Sequence, residues 1–191
     1  MSPSTGAALF AIVLVVVIVG FVVVTTYNAV VALRNRIRKA WANVDVALKQ
    51  RHDQLPNLVE AVRGVMAFEQ DVLEEVTRAR AAYAAEDPIP RQAAVSDQTS
   101  AAVRSLFAVV ERYPEVRSGA NVAALQAEIA RLEDVIADRR ELYNDQVFRY
   151  NTRIAQVPTN VLAGIFGWTP EPFFAADGAE RERPAVDIRT A

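Results

Sequence analysis

NVAALQAEIARLEDVIADRRELYNDQVFRYNTRIAQV, residues 121–157, carries a long and regular apolar pattern. Val122, Leu125, Ile129, Leu132 and Ile136, then Tyr143, Val147, Tyr150, Ile154 and Val157, recur in steps of three and four. The single step of seven, from Ile136 to Tyr143, carries Arg139 on the same line. A repeat near 3.5 residues, sustained over about five heptads, marks a helix with a coiled-coil-like face. At about 1.5 Å of rise per residue such a helix is about 55 Å long.

The same spacing extends upstream. Leu33, Ile37, Trp41, Val44 and Leu48 form one stripe. Val59, Val62, Met66, Glu69, Leu73, Val76, Arg80 and Tyr83 form a second, and Ala102, Leu106, Val109 and Tyr113 a shorter third. No period-two alternation is long enough to make a sheet. Four amphipathic helices with short connections predict an all-α fold, a long antiparallel four-helix bundle. Its corners fall at Glu86-Asp87-Pro88-Ile89-Pro90 and from Tyr113-Pro114 to Ser118-Gly119, with Asn121 suited to cap the last helix. A further corner is expected at His52-Asp53. Asp53 suits a helix N-terminus by its charge, and Pro56 suits a first turn, where no N–H is needed.

The N-terminus has a different character. AALFAIVLVVVIVGFVVV, residues 7–24, is nearly all Val, Ile, Leu, Ala or Phe, and no charge occurs before Arg34. About 20 such residues cross the hydrocarbon core of a bilayer, and there the backbone must be helical. A cleaved signal peptide is the rival reading. It calls for a basic leader, which Met1–Gly6 lacks, and for a small-x-small cleavage site after the apolar core, where none is convincing. The expectation is therefore a signal anchor over residues 7–26 that continues into the first bundle helix, no Gly or Pro intervening between Phe21 and Leu55. Residues 1–6 form a short tail, 27–174 the bundle with a C-terminal fold-back segment, and 175–191 a charged, poorly ordered tail. Arg34, Arg36, Arg38 and Lys39 follow the span, so the positive-inside rule puts the N-terminus outside and the bundle in the cytoplasm; the alternative is an outward-facing bundle. Gly20 is the only glycine in the span, so no GxxxG pairing motif suggests an oligomeric state.

Composition removes several chemistries. The 191-residue chain has no cysteine, which excludes disulfides, thiol nucleophiles, zinc-thiolate sites and iron–sulfur clusters. Its net charge of −2 gives no basic face for nucleic acid. His52 is the only histidine. Beside Asp53 it resembles a base with its orienting acid, but neighbours on a helix point about 100° apart and cannot face one another. A di-metal carboxylate bundle needs Glu-x-x-His on two helices, and this chain has none. No catalytic residue, cofactor or metal is expected.

Polar residues on the apolar lines are more informative. Glu69, Arg80 and Arg139 either reach out of the seam or pair within it and set the helix register. Tyr143-Asn144 and Tyr150-Asn151 repeat at a spacing of seven, so they share a face. They either pack with their hydroxyls at an edge or form a ladder for the segment PTNVLAGIFGWTPEPFF, residues 158–174. That segment carries Leu162, Ile165, Phe166, Trp168, Phe173 and Phe174 among Gly and Pro. It is expected to fold back on the bundle, the alternative being contact with membrane or a partner.

Four groups of residues make the chain resemble the LemA family of bacterial membrane-anchored helical proteins. They are Tyr27-Asn28 with Leu33-Arg34-Asn35; Ala40-Trp41, Val44-Asp45-Val46, Leu48-Lys49 and Arg51; Pro56-Asn57-Leu58-Val59-Glu60 with Gly64 and Glu69; and Tyr143-Asn144, Tyr150-Asn151, Pro158, Ala163-Gly164, Phe166-Gly167 and Phe173-Phe174. They run from the anchor to Phe174. The chain departs from the family pattern at Phe68-Glu69, where His-Glu is common, and at Val157-Pro158, where Phe-Pro is common. The resemblance implies a membrane helix followed by a helical bundle and implies no reaction. The functional expectation is a single-pass scaffold or adaptor without catalytic activity. It would sit in the lipid bilayer and serve an unidentified membrane-associated protein. The alternatives are a lipid-binding or membrane-shaping module and a carboxylate enzyme that recruits a metal through Asp45 or Glu69.

Overall fold

The computed structural model describes residues 3–63, 69–117 and 119–175. Gly64, Met66, Phe68, Ser118 and the tail from residue 176, all named above, lie outside the described residues. Among those described there are six helices: α1 (Pro3–Arg63), α2 (Gln70–Ala81), α3 (Ile89–Val110), α4 (Pro114–Arg117), α5 (Ala120–Ala155) and α6 (Thr159–Phe166). The fold is all-α, with one apolar N-terminal helix and a helical bundle. The chain divides into two compact units, one of Met1–Lys39 and Asp145–Glu171, the other of Ala40–Asn144 and Pro172–Ala191.

The first unit holds the apolar span. From Leu9 to Val24 its large side chains stand largely exposed, Phe10 at 71% and Val16 at 64%. α1 is long and apolar enough here to cross a membrane. Burial begins where the span ends, with Thr26, Val30 and Ile37 of α1 and Val147, Tyr150 and Ile154 of α5. Both sets step by three, four or seven, as a helix seam requires. α6 adds buried Thr159 and Leu162. It ends at Gly167, whose φ of 65° lies in the left-handed region that only glycine enters without cost, and the Trp168 N–H then donates to the Ala163 carbonyl at 2.9 Å.

The second unit holds the core. Leu55, Leu58 and Val62 of α1 pack with Leu73 and Val76 of α2, Val103, Leu106 and Val110 of α3, and Val122 and Ile129 of α5. Prolines stand at the start of two of its helices: Pro90 lies in the first turn of α3, and Pro114 opens α4, a single helical turn inside the stretch expected to be a corner. The Gln92 amide ties the preceding corner down by donating to the carbonyls of Ala85 (3.0 Å) and Asp87 (2.8 Å).

Three expectations are corrected. The corner at His52-Asp53 does not exist, because α1 runs on through Pro56 to Arg63. Val59 and Val62 therefore belong to the first helix, and the second is the shorter α2. Together with the single turn α4, the second unit has five helical segments, not strictly four. Asn121 is not a cap; it lies inside α5, and Gly119 precedes the first helical residue.

Candidate functional site

α1 continues through Pro56, and one long-range contact meets the carbonyl that the proline leaves without a donor. A proline inside a helix has no N–H, which leaves the carbonyl four residues earlier without its donor. For Pro56 that carbonyl is His52, and the Arg80 Nε–H donates to it at 3.3 Å. Arg80, placed by the sequence on the seam of the second helix, thus stands in for the missing amide. His52 is half-buried rather than solvated, and its Nδ1 is buried without a hydrogen-bond partner. Its ring lies 5.1 Å from that of Tyr83, whose hydroxyl donates to Asp45 Oδ1 at 3.2 Å. Burial, and then the nearby Arg80 charge, hold His52 below the ordinary imidazole value. Burial and the Asp45 carboxylate push the Tyr83 phenol up to about 12. Asp45 is therefore occupied as an acceptor.

Next to His52 in the chain is Arg51, the most buried charge among the described residues, 3% exposed. Its Nη1 donates to Glu133 Oε1 at 2.8 Å and to Ser100 Oγ at 2.9 Å, and its Nη2 to Ser96 Oγ at 2.9 Å. Ser100 in turn donates to the second Glu133 oxygen. Arg51 on α1, Ser96 and Ser100 on α3 and Glu133 on α5 thus satisfy one another. Sequence reasoning missed this group. The signal was present: Val44, Leu48, Arg51, Leu55 and Leu58 make one stripe once the helix is allowed to continue past Pro56.

Glu69 takes neither Arg80 nor Arg139. It accepts from Arg112 at 3.3 Å and from the Tyr113 hydroxyl at 3.2 Å, at an edge where Arg112 is largely exposed. Arg139 is half-buried. Asn57 and Glu60 are exposed, and Asn57 donates to Gln54 at 3.2 Å. None of these joins the Arg51 group.

The two Tyr-Asn pairs each hold backbone. In the second unit the Phe174 N–H donates to Asn144 Oδ1 at 2.8 Å, the Asn144 amide returns to the Phe174 carbonyl at 3.4 Å, and the Tyr143 hydroxyl donates to the Pro172 carbonyl at 2.8 Å. Arg140, which was not anticipated, donates to the Phe174 carbonyl at 2.9 Å and to Asp97 at 2.7 Å, with its guanidinium 5.5 Å from the centre of the Phe174 ring. Phe174 is fully buried, and Trp41 lies against both Tyr143 and Phe174, with ring centres 5.5 and 5.8 Å away. Phe173 is only half-buried. In the first unit the Glu171 N–H donates to Asn151 Oδ1 at 2.9 Å, the Asn151 amide returns to the Glu171 carbonyl at 3.0 Å, and the Tyr150 hydroxyl donates to the Thr169 carbonyl at 3.2 Å. Arg34 adds an ion pair to Glu171 at 3.4 Å. Pro158 is exposed just before α6, and Phe166 is 44% exposed. Each Asn amide thus pairs with one residue's N–H and C=O as a neighbouring strand would. Among the described residues, no group of three or more His, Asp or Glu side chains is arranged to hold a metal ion.

The sequence model of the LemA family matches residues 40–188, more than three-quarters of the chain. The chain belongs to the LemA family. The match begins just past the basic cluster, so Tyr27-Asn28 and Leu33-Arg34-Asn35 fall before it, while much of the tail falls within it. This LemA-family chain is 25% identical to Protein LemA of Metamycoplasma hominis over 176 residues, 90% of this chain and 77% of that protein. It is also 37% identical over 86 residues to Magnetosome protein MamQ 2 of Paramagnetospirillum magneticum, and 34% identical over the same length to Magnetosome protein MamQ of Magnetospirillum gryphiswaldense. Those matches cover 45% of this chain and 29% of each magnetosome protein. Arg51, Glu133 and both Tyr-Asn pairs lie in the range matched by the LemA model. LemA membership is consistent with a protein that is not an enzyme.

Proposed function

We propose that this membrane-anchored helical protein is a scaffold or adaptor that presents its bundle to another membrane-associated protein. The observation that carries the reading is the Arg51 group. A buried guanidinium satisfied by side chains from three helices supports a single helix register, as buried polar pairs do in helical assemblies. Here the buried charge acts on packing. In this reading α1, α2, α3 and α5 run antiparallel, residues 1–6 and 175–191 are tails, and residues 158–174 dock on the bundle through the two Tyr-Asn pairs. The basic run Arg34–Lys39, with no Lys or Arg before it, supports a cytoplasmic bundle and an outer N-terminus.

The test is a photo-crosslinking amino acid at Leu142, an exposed apolar position in the second unit at 53%. The adaptor reading expects one discrete crosslinked membrane protein in intact cells, lost on Leu142→Glu in the companion pull-down while helicity is kept. Crosslinking to lipid alone, or to no discrete species at this and neighbouring exposed positions, would sink it.

A further inference from the structure

α6, TNVLAGIF, has no charged side chain and is apolar on two sides. Thr159 and Leu162 face inward and are buried. Val161 and Ile165, four residues apart and so on one face, are 62% and 69% exposed, and Val157 just before the helix is 80% exposed. A helix this apolar calls for a cover on its outer side.

The first unit points to the cover. Tyr27 lies three residues past the end of the apolar run, about one helical turn or 4.5 Å of rise. Its ring meets Phe166 edge-on at 5.2 Å and lies 5.8 Å from Trp168, which stacks on Phe166 at 5.3 Å. The C-terminal end of α6 is thus tied to the residue where the span leaves the hydrocarbon. Tyr and Trp favour that depth because their rings are apolar and their tips polar. Exposed Arg36, Arg38 and Lys39 follow on α1 and suit anionic headgroups.

We propose that the outer face of α6, with Val161 and Ile165 at its centre, lies in the headgroup region of the bilayer that α1 crosses. The Tyr27–Phe166–Trp168 cluster sets its depth. The occupant of the face is lipid, and the contact is a second, interfacial attachment beside the span. It does not depend on the adaptor reading.

The chain has no cysteine, so single reporters can be placed at will. Full-length Ile165→Cys and, separately, Val161→Cys are labelled with an environment-sensitive fluorophore and reconstituted in phosphatidylcholine–phosphatidylglycerol vesicles. Some vesicles carry a nitroxide lipid labelled high on the acyl chain. Leu142→Cys is the control, and circular dichroism verifies the helical fold of each. Both α6 reporters should blue-shift and lose about half or more of their fluorescence to the shallow nitroxide, while the control does not change. Folded variants that behave like the control would overturn the proposal. So would a disulfide-linked dimer formed by unlabelled Ile165→Cys protein, with no lipid quenching of the labelled protein, which would make a second copy the cover.

Discussion

Pro56, Arg80 and His52 show how one side chain can reverse a local rule. Proline breaks a helix interior at a cost of about 3 kcal/mol, mostly through the lost amide bond and the ring's clash with the preceding turn. Arg80 recovers the bond by donating to the His52 carbonyl. Arg80→Met should therefore destabilise the protein by about 1–2 kcal/mol, and by clearly less in a Pro56→Ala background, where an amide donor returns. A denaturation double-mutant cycle measures the difference, and equal costs in both backgrounds would remove this account of the helix. His52 makes a separate prediction. Its folded pKa is below the ordinary value of 6.5, so between the two values the unfolded chain binds more protons and stability rises with pH. The contribution is present above about 6.5 and is lost as pH falls toward the folded value. Melting temperature should fall more steeply from about pH 7 to 5 in the native chain than in His52→Gln.

At the scale of elements, α5 repeats one device at Tyr143-Asn144 and Tyr150-Asn151. The second pair holds Glu171 through Asn151 and the Thr169 carbonyl through Tyr150; the first holds Phe174 through Asn144 and the Pro172 carbonyl through Tyr143. Each pair should act on its own residue. Asn144→Ala should speed hydrogen exchange at the Phe174 amide by about tenfold or more and leave the Glu171 amide protected; Asn151→Ala should do the reverse. Loss of protection at both amides in either variant would mean that the segment detaches as one piece. Arg140 gives the Phe174 carbonyl a second donor, so Asn144→Asp, which keeps the acceptor for the Phe174 N–H, should cost less than Asn144→Ala.

For the molecule as a whole, the basic run Arg34–Lys39 after the span predicts a cytoplasmic bundle. Ala123 is exposed at the start of α5, so Ala123→Cys gives a single reporter. In intact spheroplasts a membrane-impermeant thiol reagent should fail to label it until lysis. Immediate labelling would place the bundle outside, and the basic cluster after the span would then need another explanation, such as the lipid contact proposed for α6.

The amino-acid sequence alone carries the helical class, the apolar span, the seam of α5 and the proline-marked corners at residues 86–90 and from Tyr113-Pro114, though not the helical turn α4 inside the second corner. Each depends on local spacing or on the fixed φ of proline, which neighbours along the chain make visible. It also marked the Tyr-Asn pairs by their repeat. Tertiary structure decided the rest. The carbonyl that Pro56 leaves without its amide meets a guanidinium from a residue 24 positions after the proline. Where the buried charge lies depends on Arg51 meeting Ser96, Ser100 and Glu133 across three helices, and Arg51 joined the apolar stripe only after Pro56 ceased to be a break. Glu69 found Arg112 rather than a seam arginine because the turn after α3 brings that side chain beside it. A one-dimensional pattern records which residues face inward, but a hydrogen bond between distant positions exists only once the helices have packed.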